Sequence, residues 1–322
     1  MKTEWKPMLL AAVFGLCLPA ALLLMQWEKS PPEKPPAVPT ETAPQMPTET
    51  IARVETPART LLVKGKDGLV TELPLEEYLL GVVCAEMPGS FHPEALKAQA
   101  VVARTYALKR IGRSKHTDCD ICTDSACCQG WADISSVTDG ETADKLRSAV
   151  EETAGMVLTY NGALIDATYF SCSGGSTEAA VAVWGSDVPY LQATSSPGEE
   201  NAAHFEDTVT FSAGDFAEKM GISGEGNPAD WFGVTSYTEG GGVKSMEIRG
   251  QQFSGTTLRK LLGLRSTWFE LFVQDNCITV VTHGFGHRVG MSQYGADAMA
   301  RNGADYETIL KHYYQGVELE ER

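Results

Sequence analysis

The feature that most narrows the possible folds is an uncharged apolar run at residues 8–25 (MLLAAVFGLCLPAALLLM), with Lys2 and Lys6 before it and Glu28 after it. A helix of that length just crosses a hydrocarbon core of about 30 Å. The lysines place the N-terminus in the cytoplasm and everything after Glu28 outside. A cleaved signal peptide is the rival reading, because the run lies at the upper end of the length of such segments. The chain shows no convincing A-x-A cleavage site before residue 29. Pro19 would kink the span, which membrane helices tolerate. One N-terminal transmembrane helix is therefore expected, and the rest of the chain works outside the cytoplasm under either reading.

Residues 28–58 are rich in Pro, Thr and Glu (KSPPEKPPAVPTETAPQMPTET) and short of large apolar side chains. Such a stretch cannot bury a core, and its prolines favour extended polyproline II. Three parts follow: a cytoplasmic tip and anchor at 1–28, a disordered linker at 29–59, and a folded domain at 60–322 whose last packed residue is near Val317. The formal net charge of -16 argues against a nucleic-acid partner, which selects basic surfaces.

Within the domain, residues 60–70 read as a strand pair around Lys66-Asp67-Gly68. Pro74 is expected to open a helix at its first position, with Glu76 and Glu77 suiting the positive helix start. Leu75, Leu79, Val82 and Glu86 follow at helical steps, so all four lie on one face, and Pro88 ends the helix. A second helix opens at Pro93, with Leu96, Ala100, Ala103 and Ala107 as its inner stripe, and ends near Gly112. β-like runs at 156–160, 167–171 and 278–282 alternate with turns, and a helix over 306–314 closes the chain. The expected class is α+β, with mixed helices and short antiparallel strands forming a substrate cleft.

Glu86 is the anomaly in this pattern. A carboxylate on an apolar helix face is a local conflict, and such conflicts concentrate at functional sites. Burial and the negative helix end would both raise its pKa, as a general acid at neutral pH requires. The alternative is a structural Glu paired with a nearby base such as Arg104.

Three blocks carry a resemblance. EEYLLGVVCAEMPGSFHPEALKAQAVVARTYAL (76–108), ATYFSCSGGSTE (167–178, followed by VWG and PYL) and HGFGHRVGMSQYGADAMARNG (283–303) resemble, in order, the signatures of the stage II sporulation protein D family. Arg288 stands where that family usually has Gly. The resemblance implies a membrane-anchored lytic transglycosylase acting on peptidoglycan during forespore engulfment, with Glu86 as the catalytic acid/base. One carboxylate then suffices, because the substrate's own C6 hydroxyl is the nucleophile and the product is a 1,6-anhydro sugar. Softer roles in binding substrate fall to Arg104, Tyr169, Ser171, Ser173, Gly174, Gly175, His287, Ser292 and Gln293. For each of these, satisfying loop backbone is an equally good reading. Trp184 and Tyr190 are possible sugar-stacking rings, with a core role the better reading for Trp184.

HTDCDICTDSACCQGW (116–131) crowds four cysteines beside a histidine. Soft thiolates with imidazole suit zinc, while extracytoplasmic cysteines also suit disulfides. His116, Cys122 and Cys128, six residues apart, match metal positions known in some members of the family. The expectation is zinc, more structural than catalytic, on these three ligands with water, substrate or another residue as fourth. A Cys119–Cys127 bridge is the companion guess, and pairing of Cys84 with Cys172 stays open. The resemblance further implies peptidoglycan glycan strands as substrate, and a cell-wall amidase and a multispanning membrane protein as partners. A non-catalytic peptidoglycan-binding or amidase-activating module is the alternative. A zinc peptidase is a third reading, weakened by the lack of H-E-x-x-H.

Overall fold

In the computed structural model residues 59–322 are described. The expected anchor at 8–25 and the linker to residue 58 lie outside them. Among the described residues no helix is long and apolar enough to cross a membrane.

The chain starts with a hairpin, β1 (Thr60–Lys64) against β2 (Val70–Pro74), closed by a turn whose Gly68 has φ +84°. Pro74 is the last residue of β2 and stays extended at ψ 139°, so the first helix, α1 (Leu75–Glu86), begins one residue later than the proline suggested. Pro93 does open the second helix, α2 (Pro93–Arg110), and the preceding His92 ring accepts the Glu94 N–H. The expected stripe of Leu96, Ala100, Ala103 and Ala107 is buried, but so are Ala95, Ala98, Val101 and Val102. Helix α2 is thus enclosed on nearly every side and forms the axis of the domain, its small side chains admitting close neighbours.

Around it lie α1, α3 (Gly140–Glu151) and, beyond the short strand β3 (Ile121–Cys122), the strand β4 (Met156–Tyr160). β5 (Ala163–Leu164), β6 (Tyr169–Phe170) and the short helix α4 (Ala180–Trp184) complete this half. The expected strand at 167–171 shrinks to the two residues of β6, and Gly174 and Gly175 at φ +76° and +119° turn the chain a few residues later.

Residues 206–283 build a second module with its own core. It runs β7 (Glu206–Ser212), α5 (Ala213–Met220), β8 (Phe232–Tyr237), β9 (Val243–Ile248), β10 (Gln251–Ser254), α6 (Gly255–Leu262), β11 (Phe269–Gln274) and β12 (Cys277–His283). Two three-stranded antiparallel sheets, β10-β9-β8 and β11-β12-β7, enclose Phe216, Trp231, Ile248, Phe269 and Ile278. The chain then returns to the first core through β13 (Met291–Ser292), α7 (Gln293–Arg301), α8 (Tyr306–Tyr313) and β14 (Glu318–Glu321). β13 pairs with β6 and β3 with β1, both parallel, whereas the other ladders are antiparallel. The class is α+β, with every sheet only two or three strands wide.

Arg288 is a fastening point between the two modules. Arg288, fully buried, donates from Nε to Ser173 O (2.9 Å), from Nη2 to Ser176 O (2.7 Å) and Gly240 O (2.6 Å), and from Nη1 toward Glu178 Oε1 (3.4 Å). Its guanidinium also lies 4.8 Å over the Trp268 ring. Its φ of +64° is a conformation that glycine adopts freely and other residues adopt at a cost. The loop therefore keeps a glycine-like shape, and the guanidinium contacts offset the strain.

Candidate active site and metal centre

Glu86 is the last residue of α1 and is half-buried at the mouth of a cleft of about 380 Å³, rather than enclosed on the apolar face. The cleft is lined by Cys84, Ala85, Glu86, Met87, Pro88, Phe91, Ser171, Gln293 and Tyr294. One wall is the turn after α1. It is pinned to α7 where the His92 N–H donates to Asp297 Oδ1 (2.6 Å) and Arg301 Nη2 donates to Ser90 O (3.0 Å). Phe91 meets Tyr294 edge-on, with ring centroids 5.0 Å apart. The opposite wall is the end of β6 and the start of α7. Glu86 is the only carboxylate among the lining residues.

The Glu86 carboxylate is held from below. Oε1 accepts the Gly130 N–H at 2.6 Å, and a Cβ on Gly130 would stand 2.8 Å from that oxygen. Only a residue without a side chain permits this approach. Next to Gly130, the buried Gln129 bridges two phenols, and Trp131 packs where Gly81 of α1 leaves room for its indole. Sequence reasoning missed Gln129, Gly130 and Tyr78. The trace of Gln129 and Gly130 was the Gln-Gly-Trp following the paired cysteines, and Tyr78 lay within the 76–108 block.

That loop is anchored by a cluster of soft ligands. One donor atom each from His116, Cys122, Cys127 and Cys128 lies within 4.8 Å of the others. His116 Nε2 is 3.4 Å from Cys128 Sγ and 3.6 Å from Cys127 Sγ. Tetrahedral zinc with bonds of about 2.0–2.3 Å sets its ligands roughly 3.5 Å apart, so the donors present fit such an ion. Burial, with the Cys122 thiol beside it, pushes Cys128 up to about 12, so its sulfur resists ionisation unless a cation sits beside it. Of the alternatives for a fourth ligand, another residue is at hand: consecutive Cys127 and Cys128 both turn toward His116. One expectation is corrected here. No Cys119–Cys127 bridge forms: both are free thiols, and Cys119 is buried apart from the cluster. Cys84 and Cys172 are also unpaired.

Of the residues expected at the substrate, Ser171 and Gln293 line the cleft. Tyr169 is half-buried, and its hydroxyl accepts from Gln129 Nε2 at 3.3 Å. The others serve the fold. Arg104 is 0% exposed and spends its donors on Glu76, Thr153, Met156 O and Val150 O, which places it in the core rather than in the cleft. Ser173 donates from its N–H and Oγ to the buried Glu199 carboxylate (2.6 and 2.8 Å). Ser292 Oγ caps α7 through the Gly295 N–H. Gly174 lets its backbone approach His283 and Gly284, not a ligand. Gly175 accepts the Ser196 N–H in the same loop system. His287 accepts the Val289 N–H at Nδ1 (3.1 Å) and lies against Phe170 and Trp184. Trp184 is 47% exposed, so the core role expected for it gives way to a surface one, whereas Tyr190 packs on Tyr160.

Residues 63–160, which carry Glu86 and the whole cysteine cluster, match the family model described as Stage II sporulation protein. The chain is 40% identical to Stage II sporulation protein D of Bacillus subtilis (strain 168) over 78% of its length and 76% of the relative's. It is 39% identical to the protein of the same name from Bacillus amyloliquefaciens, over 83% and 80%. It is also 32% identical to the Amidase enhancer of Bacillus subtilis, covering 75% of this chain but 40% of that one. With that identity sustained across most of both chains, this protein belongs to the Stage II sporulation protein D family.

Proposed function

We propose that the protein is a lytic transglycosylase that cleaves the bond between N-acetylmuramic acid and N-acetylglucosamine in peptidoglycan, with Glu86 as the single acid/base. The observation that carries the proposal is a cleft whose only lining carboxylate is Glu86, held on a backbone N–H. Hydrolytic glycosidases need a second carboxylate about 5–9.5 Å away, as nucleophile or to activate water. A substrate that supplies its own nucleophile does not. Protonated Glu86 gives its proton to the leaving glycosidic oxygen as the C1–O bond breaks. The muramic acid O6 then bonds to C1 and returns its proton to Glu86, so no water is consumed. Ser171, Gln293 and Tyr294 are the groups placed to hold the sugars.

In this reading zinc sits on His116, Cys122, Cys127 and Cys128. Four protein ligands leave no open position for an activated water, so the ion orders the 116–131 loop beneath Glu86. The enzyme would be held outside the cell membrane by the 8–25 segment and act during sporulation beside a cell-wall amidase and a multispanning membrane partner. The kinship to an Amidase enhancer supports a second reading, a non-catalytic activator.

Peptide-stripped glycan strands digested by the full chain in detergent, and by its Glu86→Gln variant, separate the two. Products ending in 1,6-anhydro-muramic acid, absent with the variant, are expected in mass spectra. Reducing-end products would refute the transglycosylase. No cleavage, with amidase stimulation equal in both proteins, would establish the activator.

A further inference from the structure

Gln129 has no place in the chemistry described so far, yet it is 1% exposed, polar and hydrogen-bonded at both ends of its amide. It stands between Cys128 of the metal cluster and Gly130 under Glu86. Oε1 accepts from the Tyr78 hydroxyl at 3.3 Å, and Nε2 donates to the Tyr169 hydroxyl at 3.3 Å. Each phenol has one proton. Tyr78 gives its proton to the amide. Tyr169 receives one from the amide, so its own proton is free to point elsewhere.

We propose that Gln129 is a positioning residue for Glu86, its amide setting the direction in which Tyr169 offers its hydroxyl proton to the Glu86 carboxylate. The proposal rests on Glu86 being the acid/base of the reading above. Burial above all, and then the neighbouring Glu86 charge, hold the Tyr169 phenol well above its usual range, so it stays a donor. Glu86 is held by the Gly130 N–H at 2.6 Å, and the Tyr169 hydroxyl, placed by the preceding residue of the same loop, is the second donor the proposal assigns to it. An amide turned by half a rotation would reverse both bonds: Nε2 would donate to Tyr78, and Oε1 would draw the Tyr169 proton away from Glu86. The amide orientation thus decides whether the carboxylate keeps one orientation between its two proton transfers.

The test uses the full chain in detergent with zinc bound, and compares Gln129→Met and Gln129→Glu on peptide-stripped glycan strands. Met keeps the length and loses both hydrogen bonds. Glu keeps the shape but replaces the donor to Tyr169 by an acceptor. Both are expected to lower kcat by about 10- to 100-fold with KM nearly unchanged, since misplacement of a reacting group acts on the chemical step. Gln129→Glu should also move the alkaline limb of the pH–rate profile upward, because it adds a negative charge beside Glu86. Wild-type kcat in both variants, or a fall that appears only together with lost zinc or a lower melting temperature, would overturn the proposal. A readout independent of activity is the ring 13C resonance of Tyr169, assigned with Tyr169→Phe. It should shift in both Glu86→Gln and Gln129→Glu. If the wild type cleaves no glycan, the functional reading fails on its own; shifts in both variants would still support the network, and no shift would dismiss it.

Discussion

Gly130→Ala should separate activity from stability. The added Cβ would stand 2.8 Å from Glu86 Oε1 and 3.4 Å from its Cδ, so the oxygen must retreat by about 0.6 Å to reach ordinary contact. That retreat stretches the 2.6 Å bond from the Gly130 N–H to the long end of the hydrogen-bonding range. Because displacements near 1 Å cost about 100-fold, a loss of about 10- to 100-fold in kcat is expected, or roughly 1.4–2.8 kcal/mol of transition-state stabilisation. Stability should hardly change. The obstacle is the tip of one flexible side chain, Gly130 has no left-handed φ, and losing a glycine restricts the unfolded chain. The control is Gly81→Ala, where the Cβ would fall 2.0 Å from Nε1 of the Trp131 indole, a rigid neighbour. It should cost about 1–3 kcal/mol by overpacking. The assays are release of 1,6-anhydro-muramic acid ends from peptide-stripped glycan and thermal unfolding of both variants. A Gly130→Ala protein with wild-type kcat would show that Glu86 needs no close support and would refute this reasoning. A melting temperature as low as that of Gly81→Ala would do the same.

Arg288→Ala leaves the Glu178 carboxylate, 1% exposed, without its counter-charge, and should cost about 3–5 kcal/mol in denaturant unfolding. Arg288→Gly should recover about 1 kcal/mol of that by relieving the positive φ; equal losses would mean that the strain is not real. Burial, followed by the Arg259 charge, holds His287 down to about 4, against roughly 6.5 in the unfolded chain. The unfolded chain therefore takes up this proton first, so stability is full above about pH 6.5 and falls by up to about 3 kcal/mol on the way to pH 4. In His287→Asn that part of the acid sensitivity should vanish, and an unchanged pH–stability slope would count against a buried neutral ring. Removing zinc with a chelator should speed amide exchange at 127–131 without unfolding α2, and Cys127→Ser should weaken zinc binding by about 100-fold or more. Unaltered affinity in a metal competition assay would reinstate an open fourth position.

What the chain determined by itself is what nearest neighbours decide. Pro93, the apolar spacing from Leu75 to Val82 and the small residues of α2 specify two helices in the places they occupy. The three blocks around Glu86, Cys172 and His287 carried the kinship, because they hold the residues that must converge at one cleft. Ser171 and Gln293 indeed reach it, while Arg104, Ser173 and Ser292 turn inward, a distinction no local pattern contains. Tertiary structure alone decided the rest. A loop 44 residues beyond Glu86 comes back to support it, and Cys127 joins the His116, Cys122 and Cys128 donors because a turn brings both adjacent sulfurs to His116. Residues 206–283 have a core of their own, and Arg288 reaches 48 residues back to the Gly240 carbonyl to fasten it. Periodicity records which side of an element is buried, but not which distant segment buries it. Contacts of that kind come from the packing of the whole chain, where one glycine can matter because of the carboxylate lying against it.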